Sequence, residues 1–222
     1  MSSCSVADQV IKIDCDDGSI YVARNILCER SKETKDFVRD NVVDIDDSLS
    51  HMPERGAVME HKRAWELYVG FLHGHPIWTR SPEHSIEEDF YNLVQIREFA
   101  ETDASDFDVM NAAMDAIREL VTQHSDALHC PSNVFGCGVD NFDEDPVGIF
   151  LMEYMLFDNF SGVFKKWYSC DDERLDEGLS SILKQTAEAV NGHKPNKGDE
   201  KSDLMERCRF HSHGSKPCYL DK

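Results

Sequence analysis

The sequence predicts an α+β chain: a small N-terminal β-sheet, a cluster of helices, then a C-terminal helix and a flexible tail. Three observations predict it. Short β-prone runs crowd into the first 45 residues. A helical hydrophobic period governs the chain from Ala64 onward. A polar stretch bearing Gly192, Pro195 and Gly198 precedes the last residues. Strands first and helices afterwards is the order in which a sheet is covered by a helical layer.

Val10–Asp14 and Ile20–Val22 are β-prone, and the Asp16-Asp17-Gly18-Ser19 spacer between them is a turn signal, so the pair reads as a hairpin. Asn25–Glu29 reads as one helical turn. Ser31 is placed to cap a helix with Phe37 and Val38 on its inner face. Val42, Val43 and Ile45 read as a third short strand, and Asp46–Gly56, with its Pro53 and Gly56, as loop. Ala64, Trp65, Tyr68 and Leu72 share one helical face, flanked by Leu67 and Phe71, until Gly74 and Pro76 stop the helix. Ile77-Trp78-Thr79 fits a small strand. Ile86–Ala100 is a second helix, with Phe90, Leu93, Val94 and Ile96 apolar. Phe107, Met110, Met114, Ile117 and Val121 form a clean amphipathic stripe. His129–Asp145 reads as loop, Val147–Phe160 as a buried helix, Leu175–Val190 as a last helix and Asn191–Asp203 as linker. Trp65, Phe71, Phe90 and Ile117 are expected in the core.

The 222 residues include 43 acids and 23 Lys/Arg, a formal net charge of −20. Residues 171–222 hold 11 of those acids and 9 of those bases, which leaves 32 acids against 14 bases in the first 170. A body this acidic repels phosphate backbones, so nucleic acid is not an expected partner. It suits basic partners, or serves simply as a solvated surface. The densest apolar stretch, Ile149–Phe157, is too short for a membrane span and contains Glu153. Met1–Asp8 has neither a basic nor an apolar region of a secretory signal. Eight Cys without one suggest reduced thiols and a cytoplasmic or nuclear location.

The strand hairpin followed by Leu27-Cys28-Glu29-Arg30-Ser31, entering a helix that ends at Phe37, resembles the "L-x-x-x-S-x-x-F" segment of BTB/POZ domains, with the Phe late. Later segments agree in order. Val43-Asp44-Ile45 resembles the family's third strand. The run from Trp65 to Gly74 resembles its "F-x-x-F-V-x-W-L-Y-x-G" helix, Val94–Glu101 its "Y-x-L-A-E" helix end, and Phe107–Ile117 its "L-x-N-x-V-M-D-A-L" helix. The likeness covers residues 6–125, in the divergent form common in fungi. It implies a BTB/POZ-like domain over 6–125, a helical extension packed on it over 126–190, and a linker with a Cys/His-containing tail over 191–222.

The resemblance implies a non-enzymatic scaffold or adaptor that binds other proteins. Ala23-Arg24 stand where the family often has His-Lys. Nine residues precede Val10, which argues against the family's strand-exchanged homodimer. Val38–Val42 lacks the apolar-x-Glu motif of members that recruit cullin-type ubiquitin ligases, and no Kelch or MATH pattern follows. The cullin-adaptor alternative is thereby weakened.

Chemistry-bearing residues cluster in the tail. Cys208, His211, His213 and Cys218 supply two thiols and two imidazoles within eleven residues, the donor set of a tetrahedral zinc shell. A tail with incidental Cys and His is the other reading. His124, His129, Cys130 and Cys137 are a looser group, and ordinary loop residues are the simpler account. His73 and His75 suit the carbonyls at a helix end. Cys28 lacks a local nucleophile signature. Glu87-Glu88-Asp89 and Asp143-Glu144-Asp145 read as solvated helix caps. The sequence carries no dinucleotide-binding, Walker or His-Glu-x-x-His motif, so no enzyme is expected.

Overall fold

The computed structural model describes residues 9–45, 49–52, 59–124, 146–157 and 210–211. The order is β1 (Val10–Cys15), β2 (Gly18–Ala23), α1 (Arg24–Cys28), α2 (Lys32–Asn41), β3 (Val43–Asp44), β4 (Leu49–Met52), α3 (Lys62–Leu72), α4 (Ile86–Thr102), α5 (Phe107–His124) and α6 (Pro146–Phe157). The chain is mixed α+β, with a four-stranded sheet ordered β2-β1-β4-β3. The described residues fall into two compact units, 9–116 and 117–211, with the division inside α5.

The hairpin forms as its sequence demands. β1 and β2 pair antiparallel from Val10↔Ala23 to Cys15↔Gly18, leaving Asp16 and Asp17 as the turn. Gly18 has φ +147°, a backbone region open to glycine and strained for other residues. The turn is held from outside. The Asp16 amide donates to the Glu60 carbonyl at 3.0 Å, and the Asp17 carboxylate accepts from the Lys62 amide at 2.7 Å. Lys62 opens α3, whose own N-cap, His61, contributes no side-chain bond, so Asp17 caps that helix from 45 residues away.

Two helix caps are local. Ser31 Oγ accepts from the Thr34 amide at 2.9 Å and places Phe37 and Val38 inward. Ser85 and Glu88 form a reciprocal capping box at the start of α4. At the far end of α3, the amides of His73, Gly74 and His75 take the last carbonyls, with Gly74 at φ +86°. Backbone amides, rather than the expected imidazoles, close this terminus.

The core of the first unit gathers on Phe99 of α4. Its ring lies 5.1 Å from Phe37, 5.2 Å from Trp65 and 5.4 Å from Tyr68, so one residue ties α2, α3 and α4 together. Trp65 is fully buried and its indole N–H reaches the Met59 carbonyl at 3.0 Å. Burial also pushes the Tyr68 phenol well above its ordinary value, with the Asp106 charge adding to it. Arg30, after α1, is forked onto Asp106, which opens α5.

In the second unit, Phe150 of α6 meets Phe210 edge-on at 5.5 Å, and the Arg118 guanidinium sits 5.5 Å over the Phe210 ring. Phe210, expected in a flexible tail, is therefore a buried anchor.

Four further expectations are corrected. Leu49–Met52, read as loop, is β4, parallel to β1 at the centre of the sheet. Ser50 and Met52 point inward, and the Ser50 hydroxyl is satisfied by Asp44 at 2.6 Å, so a weakly β-prone run is held by pairing and burial. The third strand is confined to Val43–Asp44, leaving Val42 as the C-cap of α2 and Ile45 outside it. Ile77-Trp78-Thr79 forms no strand, although Ile77 and Trp78 are buried. Phe71, expected in the core, is half-buried in the last turn of α3, next to the exposed His73–Pro76 segment. Trp65, Phe90 and Ile117 are buried as expected.

Candidate interaction surface

Side chains alternate across the sheet. Ile11, Ile13, Cys15, Ile20, Val22, Ser50 and Met52 face the core. The opposite face carries Lys12 and Asp14 from β1, Ser19 and Tyr21 from β2, and His51 from β4. The registers Lys12↔Tyr21, Lys12↔His51 and Val43↔His51 align Tyr21, Lys12, His51 and Val43 in one row spanning all four strands.

Asp14 organises this face. Its Oδ1 takes Lys12 Nζ at 2.8 Å and Ser19 Oγ at 2.6 Å, and its Oδ2 meets His51 Nε2. Hydrogen bonds from Lys12, then Ser19, then His51 hold the Asp14 carboxyl well below the usual carboxylate range. The bond to Asp14 in turn raises Lys12. Three strands are thus tied through one carboxylate on the outer surface.

Both ends of the row are apolar and open. Tyr21 is 65% exposed and Val43 61%, and Ile45 just beyond β3 is 60% exposed. These are the large apolar side chains left exposed among the described residues, and all three belong to the outer strands or their immediate continuation. Asp44 between them is engaged elsewhere, accepting from Ser50 and from Arg24 Nη1 at 2.9 Å, and its carboxyl is lowered accordingly.

Of the zinc candidates, His211 is described and half-buried beside Phe210, while Cys208, His213 and Cys218 lie outside the described residues. Of the looser group, His124 ends α5, and His129, Cys130 and Cys137 lie outside. Among the described residues no three His, Cys, Asp or Glu gather as a metal site. The Cys28 thiol is raised, chiefly by burial, the opposite of what an activated nucleophile needs. Cys15 is pushed up to about 11 by burial and by Asp17, Asp14 and Asp16.

The Glu87-Glu88-Asp89 run divides. Glu88 is the expected cap, held low by the Ser85 amide. Asp89 is not solvated but fully buried, because it shares the inward stripe of Ile86, Phe90, Leu93 and Ile96. Its Oδ2 lies 3.5 Å from Arg80 Nη1, and its Oδ1 has no hydrogen-bond partner. Asp143-Glu144-Asp145 lies outside the described residues. The sequence signal for Asp89 was its i+3 spacing from Ile86, outweighed by its acidic neighbours.

No protein-family model, curated protein or solved structure matches the chain. No helix among the described residues is long and apolar enough to cross a membrane.

Proposed function

We propose that the chain is a non-enzymatic protein-interaction module of the BTB/POZ type, working as a scaffold or adaptor in the cytoplasm or nucleus. The observation that carries this reading is the placement of Tyr21, Val43 and Ile45, the large apolar side chains exposed among the described residues, at the outer strands of the sheet or their immediate continuation. Tyr21 and Val43 end one cross-sheet row, about 14 Å apart at a strand spacing of about 4.8 Å. Exposed apolar side chains beside fixed polar groups offer a protein partner both apolar area and hydrogen-bonding sites. The ordered set of segments from Val10 to Ile117 supports the family, and the net charge of −20 supports basic proteins over nucleic acid as partners.

The test is affinity capture with the full chain, in parallel with Tyr21→Ser and with Val43→Ser. Proteins retained by the native chain and lost from either variant, at unchanged melting temperature, are the expected result. Retention of the same proteins by both variants removes the sheet face from the reading.

The zinc reading of the tail gains one observation. Phe210, buried against α6, fixes the backbone next to His211. Elemental analysis of the reduced chain decides it: one zinc per chain, lost in Cys208→Ser, supports a shell of Cys208, His211, His213 and Cys218, and its absence ends that reading.

A further inference from the structure

We propose that Ser81 is a phosphorylation site for a proline-directed protein kinase, and that its phosphate draws Arg80 off the buried carboxylate of Asp89. The inference stands apart from the partner reading above. Ser81-Pro82 is the single Ser-Pro or Thr-Pro pair in the 222 residues. It lies in the irregular segment between α3 and α4, where Thr79, Arg80, Pro82 and Glu83 are exposed. A residue before proline favours extended backbone, and proline brings no amide N–H that must be satisfied, so the pair suits an extended substrate cleft. The Ser81 hydroxyl is engaged only locally, accepting from the Glu83 amide at 3.3 Å. Ile77 and Trp78 before the pair and Ile86 after it are buried, so the segment is anchored at both ends and open in its middle.

Arg80 supplies the second observation. Its Nη1 donates to the carbonyls of Ser81 and His84 and lies 3.5 Å from Asp89 Oδ2. The guanidinium therefore already rests against residue 81. Asp89 is fully buried, its Oδ1 has no hydrogen-bond partner, and Arg80 is its ion-pair partner among the described residues. In the modification, the γ-phosphoryl group of ATP passes to Ser81 Oγ. An Oγ–P bond forms, the bond from the γ-phosphorus to its bridging oxygen breaks, ADP leaves, and the hydroxyl proton goes to the kinase's base. The product carries about −1.5 to −2 charges at pH 7 and three acceptor oxygens beside the guanidinium. Arginine–phosphate bonds are charge-assisted and often bidentate, whereas Arg80 reaches Asp89 only at the limit of hydrogen-bond distance. Moving Arg80 to the phosphate leaves the Asp89 charge buried without that cation, a strongly unfavourable state. The effect falls on the first turn of α4, where the Asp89 amide donates to the Ser85 carbonyl at 3.1 Å.

The experiment incubates the full chain with a recombinant mitogen-activated protein kinase, a proline-directed enzyme, and magnesium ATP. The expected result is one phosphate per chain by intact mass, mapped to Ser81, absent from Ser81→Ala and formed much more slowly in Pro82→Ala. In the phosphorylated chain the Asp89 amide should exchange about tenfold faster or more, as befits the loss of a bond to a charged group. Arg80→Gln removes the same cation without a phosphate. It should loosen that turn to a similar degree, and its phosphorylation should add little further. No phosphate on Ser81, or phosphate on other residues with Ser81 empty, overturns the site. Phosphate on Ser81 with exchange in α4 unchanged, or an undiminished further loosening in Arg80→Gln, overturns the transfer of Arg80. Neither outcome touches the partner reading, which rests on the sheet face.

Discussion

The guanidinium of Arg30 grips both carboxylate oxygens of Asp106, with Nε 2.8 Å from Oδ2 and Nη2 3.0 Å from Oδ1, across 76 residues of sequence. Asp106 is almost wholly buried and also receives the Val109 amide at 3.3 Å, so one carboxylate clamps the α1–α2 corner and opens α5. Beside it, Ser31 Oγ donates to the Ala104 carbonyl at 2.6 Å. The cap of α2 and the turn before α5 are therefore one joint.

Arg30→Ala leaves the Asp106 charge buried without its fork, and a charged hydrogen-bonded group lost in this way costs roughly 1.5–3 kcal/mol. Asp106→Asn should cost a comparable amount. A double-mutant cycle by urea denaturation should show the two effects to be strongly non-additive. Additive losses would mean that the pair does not couple in solution.

Trp65→Ala removes the ring between Tyr68 and Phe99 together with the bond to Met59, and should cost roughly 3–5 kcal/mol. Trp65→Phe keeps much of the packing and should lose less. A thermal shift near zero for the alanine variant would show that α3 presents another face to the core.

Asp17→Ala should lower stability by about 0.5–2 kcal/mol, the range for losing a helix cap, although residue 17 lies in a hairpin turn. The check is amide hydrogen exchange. The first turn of α3, at Lys62–Ala64, should lose protection before the hairpin does. Loss confined to the hairpin would place the effect in the turn.

Asp14 supplies the pH dependence. Its folded pKa lies below its unfolded value of about 3.9. Its contribution is therefore fully present above that value and disappears as pH falls through the folded value. Carboxyl NMR should show Asp14 still ionised at about pH 3, where an unperturbed Asp is mostly protonated. Lys12→Ala, which removes the largest cause, should move the titration upward more than His51→Ala. An unperturbed titration in the native chain would dismiss the carboxylate-centred network.

What was legible in the sequence was whatever short-range chemistry dictates. The Asp16-Asp17-Gly18 turn, the Ser31 cap and the period of Trp65 and Tyr68 each announce themselves within a few residues. β4 does not, because Leu49-Ser50-His51-Met52 has little intrinsic strand preference. Its pairing partners are β1 and β3, and the Ser50 hydroxyl is satisfied by donating to Asp44. Asp89 was misread for a related reason: its acidic neighbours suggested solvent, while the helical period turned it inward. On the candidate surface, Lys12, Asp14 and His51 were not singled out, since their meeting depends on the register of a strand the sequence did not reveal. Tyr21 and Val43 were visible as strand residues, but their exposure depends on which strands end the sheet.

The parallel pairing of β1 with β4 orders events in time. Val10 meets Leu49 and Ile13 meets Met52, so the central ladder closes a loop of about 39 residues that includes α1 and α2. As the chain leaves the ribosome, the β1–β2 hairpin is complete long before its inner neighbour exists, and a lone hairpin is marginal in water. Val22 and Ile13 then wait on a strand whose own residues barely favour extension. Closing the central ladder thus means spanning the segment that carries α1 and α2, and β3, whose partner strand among the described residues is β4, cannot be seated before β4 is.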